Sequence, residues 1–502
     1  MASERIVLWL RNDLRLTDNN IVADAAKRMS SNRKLEVVPV FCFDPRYFCA
    51  SQYGPQKTGV YRANFLLESV QDLKSRFSDI GSDLLVCKGK PEDVIPTLLL
   101  AEGKTLVFTN EEVTDEELRV DRAVQRSIAQ RGGELKKVWG STLFHKDDLP
   151  FQGDVARMPD VFTPFKEKVE RGSKVRACAP APAKNGLGAI PPQLQTMAQA
   201  PLPSLKELGF TEEEIARVEK PDPRGVMAFR GGETSGLARV QDYIWDKDCL
   251  KEYFETRNGM IGPDYSSKFS PWLAHGCISP RFIYQECQRY ERERVKNKST
   301  YWLVFELIWR DFFKFLCLKH GNEVFKVGGI AQRRWRWEGE GDRFRRWVEG
   351  TTGQPLVDAN MRELKCTGFM SNRGRQNVAS YLTQDLNVDW RLGAAYFEEV
   401  LIDHEVTANW GNWNAAAGVT GGRVNRFNIL KQSKDYDVDG AYCRLWCPEL
   451  AGVPPPKVHT PWQLSRTEQE QYGVAVLPPG APAEAAGGKP TYPTPIAIEQ
   501  SR

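Results

Sequence analysis

Residues 6–10 (IVLWL) and 37–43 (VVPVFCF) are short, continuous apolar runs, and they decide the fold of the first part of the chain. Similar runs begin at Leu84 and Leu106, and segments with helical spacing lie between or after these runs. Buried strands that alternate with helices predict an open, doubly wound parallel sheet whose ligands bind at the carboxyl ends of the strands. We place this α/β domain at residues 1–135.

The rest of the chain changes character three times. Residues 136–225 are irregular and rich in Pro and Gly, which predicts a long interdomain linker. Residues 226–462 have helical spacing almost throughout, which predicts an all-α domain. Residues 463–502 form a tail rich in Pro, Ala and Gly that we expect to be flexible. The predicted fold class is therefore α/β plus all-α.

Composition limits the classes of function. The chain has 502 residues, a net charge of +4, and eleven Cys without a CxxC pair. We therefore expect reduced thiols in a soluble intracellular protein, with plastid, mitochondrion, nucleus and cytoplasm left open. The five His are widely separated, which argues against a metal site. No apolar run approaches about 18 residues, so we expect no membrane span. We also expect the protein to be a monomer.

The stretch 403–413 (DHEVTANWGNW) indicates a redox cofactor of flavin type. Asp403 and Glu405 can accept hydrogen bonds from a ribityl chain or a ring imide. The amide of Asn409 can face a ring nitrogen that gains and loses a proton. Three indoles could pass electrons from solvent to a buried ring: Trp413, Trp390 and Trp337. Taken alone, the stretch fits core Trp residues and surface acids better.

Three other stretches suggest binding of a pyrophosphate or a nucleic acid. The first supplies hydroxyls, backbone amides and a cation within five positions: Ser266, Ser267, Lys268, Phe269 and Ser270. At a helix start such residues can hold a pyrophosphate, although plain N-capping gives the same pattern. Basic and aromatic residues alternate at 333–337 (RRWRW) and 343–347 (RFRRW), as they would in a nucleic-acid surface or in a solvated helix face.

Three long stretches carry a family resemblance: 257–281 (RNGMIGPDYSSKFSPWLAHGCISPR), 301–313 (YWLVFELIWRDFF) and 367–403 (TGFMSNRGRQNVASYLTQDLNVDWRLGAAYFEEVLID). They closely resemble the cryptochrome/photolyase family, and the first stretch and the NWGNW motif are most similar to its cryptochrome-DASH branch. The resemblance runs from about Ile6 to about Trp462. It implies FAD in the helical domain and a 5,10-methenyltetrahydrofolate antenna in the α/β domain, with Glu112 as the best-matched antenna ligand.

The resemblance also implies roles for individual residues. The positions matched to FAD contacts are Tyr253, Ser266, Ser267, Lys268, Phe269, Ser270, Arg375, Asp403, Glu405 and Asn409. The positions matched to electron transfer are Trp413, Trp390 and Trp337. The positions matched to the lesion are Glu306, Trp309 and Asn372, and those matched to DNA are Arg257, Arg310, Arg373 and Gln376. Periodicity alone favours a plain amphipathic helix for ELIWRDFF.

Two departures from the family pattern bear on function. The (6-4) photolyases carry a His pair at the positions of Asn372 and Gln376, which argues against (6-4) repair. Ala415 stands where related photolyases have an aromatic side chain that forms a second wall of the lesion site. The absence of this aromatic ring weakens stacking on the lesion by about 1–3 kcal/mol per base.

The resemblance implies blue-light-driven splitting of cyclobutane pyrimidine dimers, preferentially in single-stranded or looped DNA. A blue-light photoreceptor that signals through flavin redox change is the main alternative. An electron-transferring flavoprotein without light function also stays open.

Overall fold

The computed structural model describes residues 4–32, 34–478 and 480–497. It begins with a five-stranded parallel sheet: β1 (Glu4–Leu10), β2 (Glu36–Phe43), β3 (Leu85–Lys88), β4 (Lys104–Asn110) and β5 (Gly133–Val138). The strand order is β3-β2-β1-β4-β5, and Ile6 lies opposite both Val37 and Leu106. The direction of the connections changes between β1 and β4, where such sheets bind ligands.

Four helices flank this sheet: α1 (Asn20–Ser31), α2 (Val60–Asp79), α3 (Pro91–Val94) and α4 (Asp115–Ala129). The side chain of Asn19 accepts hydrogen bonds from the first amides of α1. Three acidic residues lie in the first turn of α4, where their negative charge interacts favourably with the helix dipole. The predicted doubly wound domain is confirmed. Its fifth strand ends at Val138, just beyond the boundary that we placed at 135.

The segment between the sheet and the helical domain carries short helices: α5 (Phe162–Gly172), α6 (Gln195–Ala198) and α7 (Glu212–Glu219). The helical domain follows: α8 (Glu233–Val240), α9 (Tyr253–Thr256), α10 (Ser270–Ala274), α11 (Pro280–Glu293), α12 (Lys298–His320), α13 (Asp342–Glu349), α14 (Pro355–Thr367), α15 (Asn372–Ser380), α16 (Trp390–Val400), α17 (Val406–Ala416), α18 (Ile429–Tyr436) and α19 (Ala441–Trp446). The predicted α/β plus all-α class is confirmed.

Helix α12 is the centre of the helical domain. Asn297 and Thr300 form a capping box at its start, which satisfies amides that the first turn leaves free. The helix packs against α5, α9 and α17. It therefore connects the linker, the loop after α9 and the DHEVTANWGNW segment. Among the described residues, no helix is both long and apolar enough to cross a membrane.

The tail differs from the sequence-based expectation. It contains α20 (Arg466–Gln471) and two short parallel strands, β6 (Ala475–Leu477) and β7 (Thr491–Pro493). Tyr492 is fully buried, and its hydroxyl donates a hydrogen bond to Asp358 at 2.6 Å. The predicted flexibility therefore needs correction up to residue 497, because one large aromatic side chain anchors the tail to the helical domain.

Candidate functional site

Two stretches that are distant in sequence meet inside the helical domain. Lys268 lies in the loop between α9 and α10, and Arg375 lies on α15. The carboxylate of Glu363 on α14 interacts electrostatically with both cations. The loop is held by Arg239, which donates hydrogen bonds to the carbonyl oxygens of Ser267 at 3.1 Å and Pro263 at 3.0 Å. The sequence-predicted motifs therefore form one site.

Lys268 has the features of an anion ligand. Its side chain is buried, and its Nζ atom lies 3.1 Å from the centre of the Tyr265 ring without a hydrogen-bond partner in the described chain. Burial, together with the nearby charge of Arg239, lowers the pKa of Lys268 to about 6. A buried amine in this setting favours a negatively charged ligand such as a phosphate, which would restore its charge.

The Arg375–Asp403 pair forms the other side of this site. The Nη2 atom of Arg375 donates to Oδ2 of Asp403 at 2.8 Å. The Oδ1 atom of Asp403 and both amide atoms of Asn377 are buried and have no hydrogen-bond partner among the described residues. Buried polar groups are normally hydrogen-bonded, so these atoms indicate a polar ligand.

These unpartnered groups fit FAD. Lys268 suits its phosphates, and the carboxylate of Asp403 and the amide of Asn377 suit its hydroxyls and ring amides. Tyr253 and Phe269 are buried beside the loop, and Ser270 begins α10. The amide of Asn409 donates to the carbonyl oxygen of Ala394 at 3.0 Å. Sequence reasoning missed Tyr265 and Asn377, because only the fold shows that their polar atoms are buried and unpartnered.

Arg310 and Glu405 form an ion pair at the boundary with the N-terminal domain. Helix α12 turns Arg310 toward the N-terminal domain, where its Nε atom donates to Glu405 at 2.7 Å and its Nη1 atom to the carbonyl oxygen of Ser141 at 2.5 Å. The pair lines a cavity between the two domains. The DNA contact of Arg310 and the flavin contact of Glu405 stay predictions, and the structure adds that the two side chains pair with each other.

The three predicted relay residues run from the core toward the surface. Trp413 and Trp390 are buried, and Trp337 is half-buried. A Cβ atom at Gly393 would lie 2.3 Å from Cη2 of Trp413, so only glycine admits the indole there. The indole of Trp390 donates to the carbonyl oxygen of Val327 at 3.1 Å. Two buried indoles and one that reaches the surface are compatible with an electron path from solvent.

A polar cluster stands on the predicted DNA-binding side. Arg257 donates to Glu306 at 2.7 Å. Arg373 donates to Gln376 at 2.8 Å and to Asn258 at 3.0 Å. Burial raises the pKa of Glu306, although the charge of Arg257 opposes that shift. We call these five residues the Glu306 cluster. It joins four sequence-predicted residues, and Asn258 is the one that sequence reasoning missed.

Trp309, Asn372 and Ala415, the other residues that bear on the lesion site, lie outside the Glu306 cluster. The ring of Trp309 stacks on Phe162 of α5, with ring centres 3.5 Å apart and planes 7° apart. The linker thus covers one face of the indole, which limits the stacking that we expected of it. Asn372 is exposed at the start of α15, and Ala415 is exposed on α17.

The predicted antenna residue lies at the sheet switch point. Glu112 follows β4 and pairs with Lys314 of α12 at 2.9 Å. Burial favours a higher pKa for Glu112, but the charges of Lys314 and Arg11 outweigh it and lower the pKa. All three residues line the interdomain cavity with aromatic Trp9. An aromatic, charged cavity at this edge suits a polar heteroaromatic ligand.

One buried cluster gave no signal in the sequence. Ligand atoms of Asp437, Cys443 and His459 lie within 4.8 Å of one another. Both carboxylate oxygens of Asp437 already accept backbone hydrogen bonds, from Tyr442 at 2.8 Å and Cys443 at 3.0 Å. These bonds satisfy free amides at the start of α19, so we assign a capping role to the carboxylate.

Comparisons with known proteins agree with this geometry. A family described as "FAD binding domain of DNA photolyase" matches residues 302–501, and one described as "DNA photolyase" matches residues 6–185. A chloroplastic/mitochondrial cryptochrome DASH from Ostreococcus tauri is 51% identical over 490 residues, which cover 94% of this chain and 89% of that protein.

Solved structures give the same result. The crystal structure of a Synechocystis cryptochrome matches with a TM-score of 0.88 and 46% identity, covering 99% of this chain and 97% of that one. A class III photolyase from Agrobacterium tumefaciens matches with a TM-score of 0.79 and 25% identity, covering 99% and 95% of the two chains.

The fold and the matched families define a two-domain flavoprotein with a sheet domain and a helical FAD-binding domain. The chain belongs to the cryptochrome/photolyase family and, within it, to the cryptochrome-DASH branch. This membership supports FAD as cofactor, flavin-dependent photochemistry and DNA binding.

Proposed function

We propose that this protein uses blue light and FAD to split cyclobutane pyrimidine dimers, preferentially in single-stranded or looped DNA. The Glu306 cluster carries this proposal. It combines a carboxyl group with a raised pKa, two arginines and two amides. These groups can bind the edges of a flipped pyrimidine pair and the phosphates beside it.

Lys268, Arg375 and Asp403 would hold FAD, which in its reduced, light-excited form would supply the electron that opens the cyclobutane ring and would regain it after the split. The protein orients the lesion. Arg257 fixes the carboxyl group of Glu306 through their 2.7 Å contact. Burial raises the pKa of Glu306, and this shift favours a protonated carboxyl group that would donate a hydrogen bond to a base carbonyl. Trp309 would offer the lesion the part of its ring that Phe162 leaves free.

Ala415 supports the preference for single strands. Its exposed methyl group leaves the pocket without a second aromatic wall. Stacking on such a wall would contribute about 1–3 kcal/mol of binding free energy per base. Without it, the cost of extracting a dimer from a duplex weighs more, and an already unstacked strand becomes the better substrate.

Two supporting roles complete the proposal. Electrons would move inward from half-buried Trp337 through Trp390 to Trp413, both of which are buried. A methenyltetrahydrofolate antenna would occupy the interdomain cavity against Glu112 and Lys314. Light absorbed by this antenna would then reach the flavin across the domain interface.

A photoreceptor that signals through flavin redox change is the second candidate. Ala415 favours it, because the missing wall weakens lesion binding without affecting the flavin site or the relay. The Glu306 cluster favours repair instead, since a photoreceptor has no need of a carboxyl group, two arginines and two amides grouped in this way.

Substitution of Glu306 tests the repair proposal. Glu306→Ala should slow blue-light repair of a thymine dimer in a single-stranded oligonucleotide by about 100-fold, the low end for a positioned proton donor. Glu306→Gln can still donate hydrogen bonds and should keep part of the rate. Glu252→Gln, which changes an exposed acid nearby, is the control and should behave like wild type. Equal rates for Glu306→Ala and wild type would remove this role from the carboxyl group.

A further inference from the structure

An exposed indole lies directly outside the last predicted relay residue. Trp335 has 58% of its surface exposed, the highest value among the exposed aromatic residues of the described chain. Its ring centre lies 5.7 Å from that of Trp337, with the planes 36° apart. The outermost relay residue that the family resemblance implies is half-buried Trp337. Trp335 has no role in that relay. Tunnelling falls steeply with distance, and two rings this close exchange electrons readily.

Hydrogen bonds hold this pair of rings in place. The indole of Trp335 donates to Oδ1 of Asn387 at 2.8 Å, and the amide of Asn387 donates to the carbonyl oxygen of Arg336 at 3.1 Å. Backbone bonds join Glu338 to Asn387 at 2.9 Å and to Asp389 at 2.8 Å. Asp389 caps α16, which begins at Trp390. The segment with Trp335 and Trp337 is therefore fastened beside the middle residue of the relay.

The two indoles differ in access to a proton acceptor. The Nε1 atom of Trp337 is buried without a partner in the described chain, so an oxidised Trp337 has no base to take its proton. Trp335 is in water, which solvates an oxidised ring and can accept the proton of its N–H group. Once Trp337 has been oxidised, transfer of an electron from Trp335 to Trp337 is therefore favoured.

The surface around Trp335 is strongly basic. Arg333, Arg334 and Arg336 are all exposed, and none forms a side-chain hydrogen bond or ion pair within the part of the chain that the structure describes. Three uncompensated guanidinium groups attract small anions and promote loss of the proton from an oxidised Trp335.

We propose that Trp335 is the surface end of the electron relay and the residue at which a small anionic reductant delivers its electron. The proposal rests on the relay that we assign to Trp413, Trp390 and Trp337. An oxidised Trp337 takes one electron from Trp335, and the oxidised Trp335 takes one from the reductant. The reductant is thereby oxidised by one electron, and any proton that Trp335 released to water is regained.

Photoreduction of the FAD-loaded protein by ascorbate, an anion, tests this assignment. Trp335→Phe should slow bleaching of the oxidised flavin band severalfold at low salt. Trp335→Tyr, which restores a redox-active ring, should recover part of the rate. Added salt should slow the wild-type reaction with ascorbate more than the reaction with neutral dithiothreitol. Trp245→Phe, remote from the relay, serves as the control and should match wild type.

Fluorescence gives an independent measurement that needs no turnover. Iodide should quench the wild-type protein more strongly than caesium does, because the arginines concentrate anions at Trp335. Trp335→Phe should lose this difference. Equal quenching by the two ions in wild type would overturn the anion-selective part of the proposal.

Trp337→Phe separates the proposal from the relay on which it rests. If Trp337→Phe slows photoreduction of the flavin but Trp335→Phe does not, the relay stands and the role of Trp335 is overturned. A Trp337→Phe variant as fast as wild type would overturn both.

Discussion

Lys268 connects a single side chain to cofactor binding. The SSKFS motif predicted a phosphate contact here, but its spacing could not show that the amine is buried with no hydrogen-bond partner in the part of the chain that the structure describes. That property depends on the left-handed backbone of Lys268 and on Arg239, Glu363 and Tyr265, which the fold brings around it. The position of the motif was therefore predictable, whereas its electrostatics were not.

The low pKa of Lys268 predicts that FAD binding depends on pH. In the chain alone this pKa is about 6, below its ordinary value of 10.5, and a bound phosphate would raise it again. Above pH 6, binding therefore takes up a proton, and the FAD dissociation constant should rise by up to about tenfold per pH unit until the pKa of the complex is reached.

Measurement of FAD release at pH 7, 8 and 9 checks this expectation. Lys268→Arg keeps its charge across this range, so its FAD affinity should vary less with pH than that of wild type. Lys268→Met should bind FAD weakly at every pH. Identical pH profiles for wild type and Lys268→Arg would show that this amine does not meet the phosphates.

At the scale of secondary structure, strand ends were easier to predict than helix faces. The alternation of strands and helices predicted ligand binding at the carboxyl ends of the strands, and β4 does end beside the switch point, two residues before Glu112. Periodicity in α12 could not show which side faces the N-terminal domain. Lys314 and Arg310 turn toward that domain, and α5 of the linker covers Trp309. Long-range packing decided these three positions.

The contact between β4 and α12 yields an antenna prediction. Glu112→Gln removes a buried charge that lines the cavity, and it should weaken folate binding by about 1.5–3 kcal/mol, the range for a hydrogen bond to a charged group. The absorption band near the ultraviolet–blue boundary should fall relative to the FAD band after loading with methenyltetrahydrofolate. Glu111→Gln, at the neighbouring acid paired with Lys146, should leave that band unchanged. A wild-type protein that never binds the folate would contradict the antenna assignment.

At the scale of the whole molecule, hydrophobic pattern predicted both domains and their order. The strand runs 6–10 and 37–43 are buried in adjacent parallel strands, as their continuous apolar character indicated. Composition misjudged the tail, because a Pro- and Gly-rich segment can still be held by one buried residue, Tyr492. The convergence of residues 253–270, 363–375 and 403–413 on one site was expected from the family resemblance, and no local pattern in the chain predicts it.

Light-driven repair is the central claim, and strand preference is its most specific consequence. The direct measurement is the blue-light turnover of a defined thymine dimer in matched single-stranded and duplex oligonucleotides, with dark controls. We expect light-dependent loss of dimers that is faster in the single strand, and higher salt should weaken DNA binding in both. An absence of light-dependent dimer loss in both substrates would contradict the claim and favour the photoreceptor.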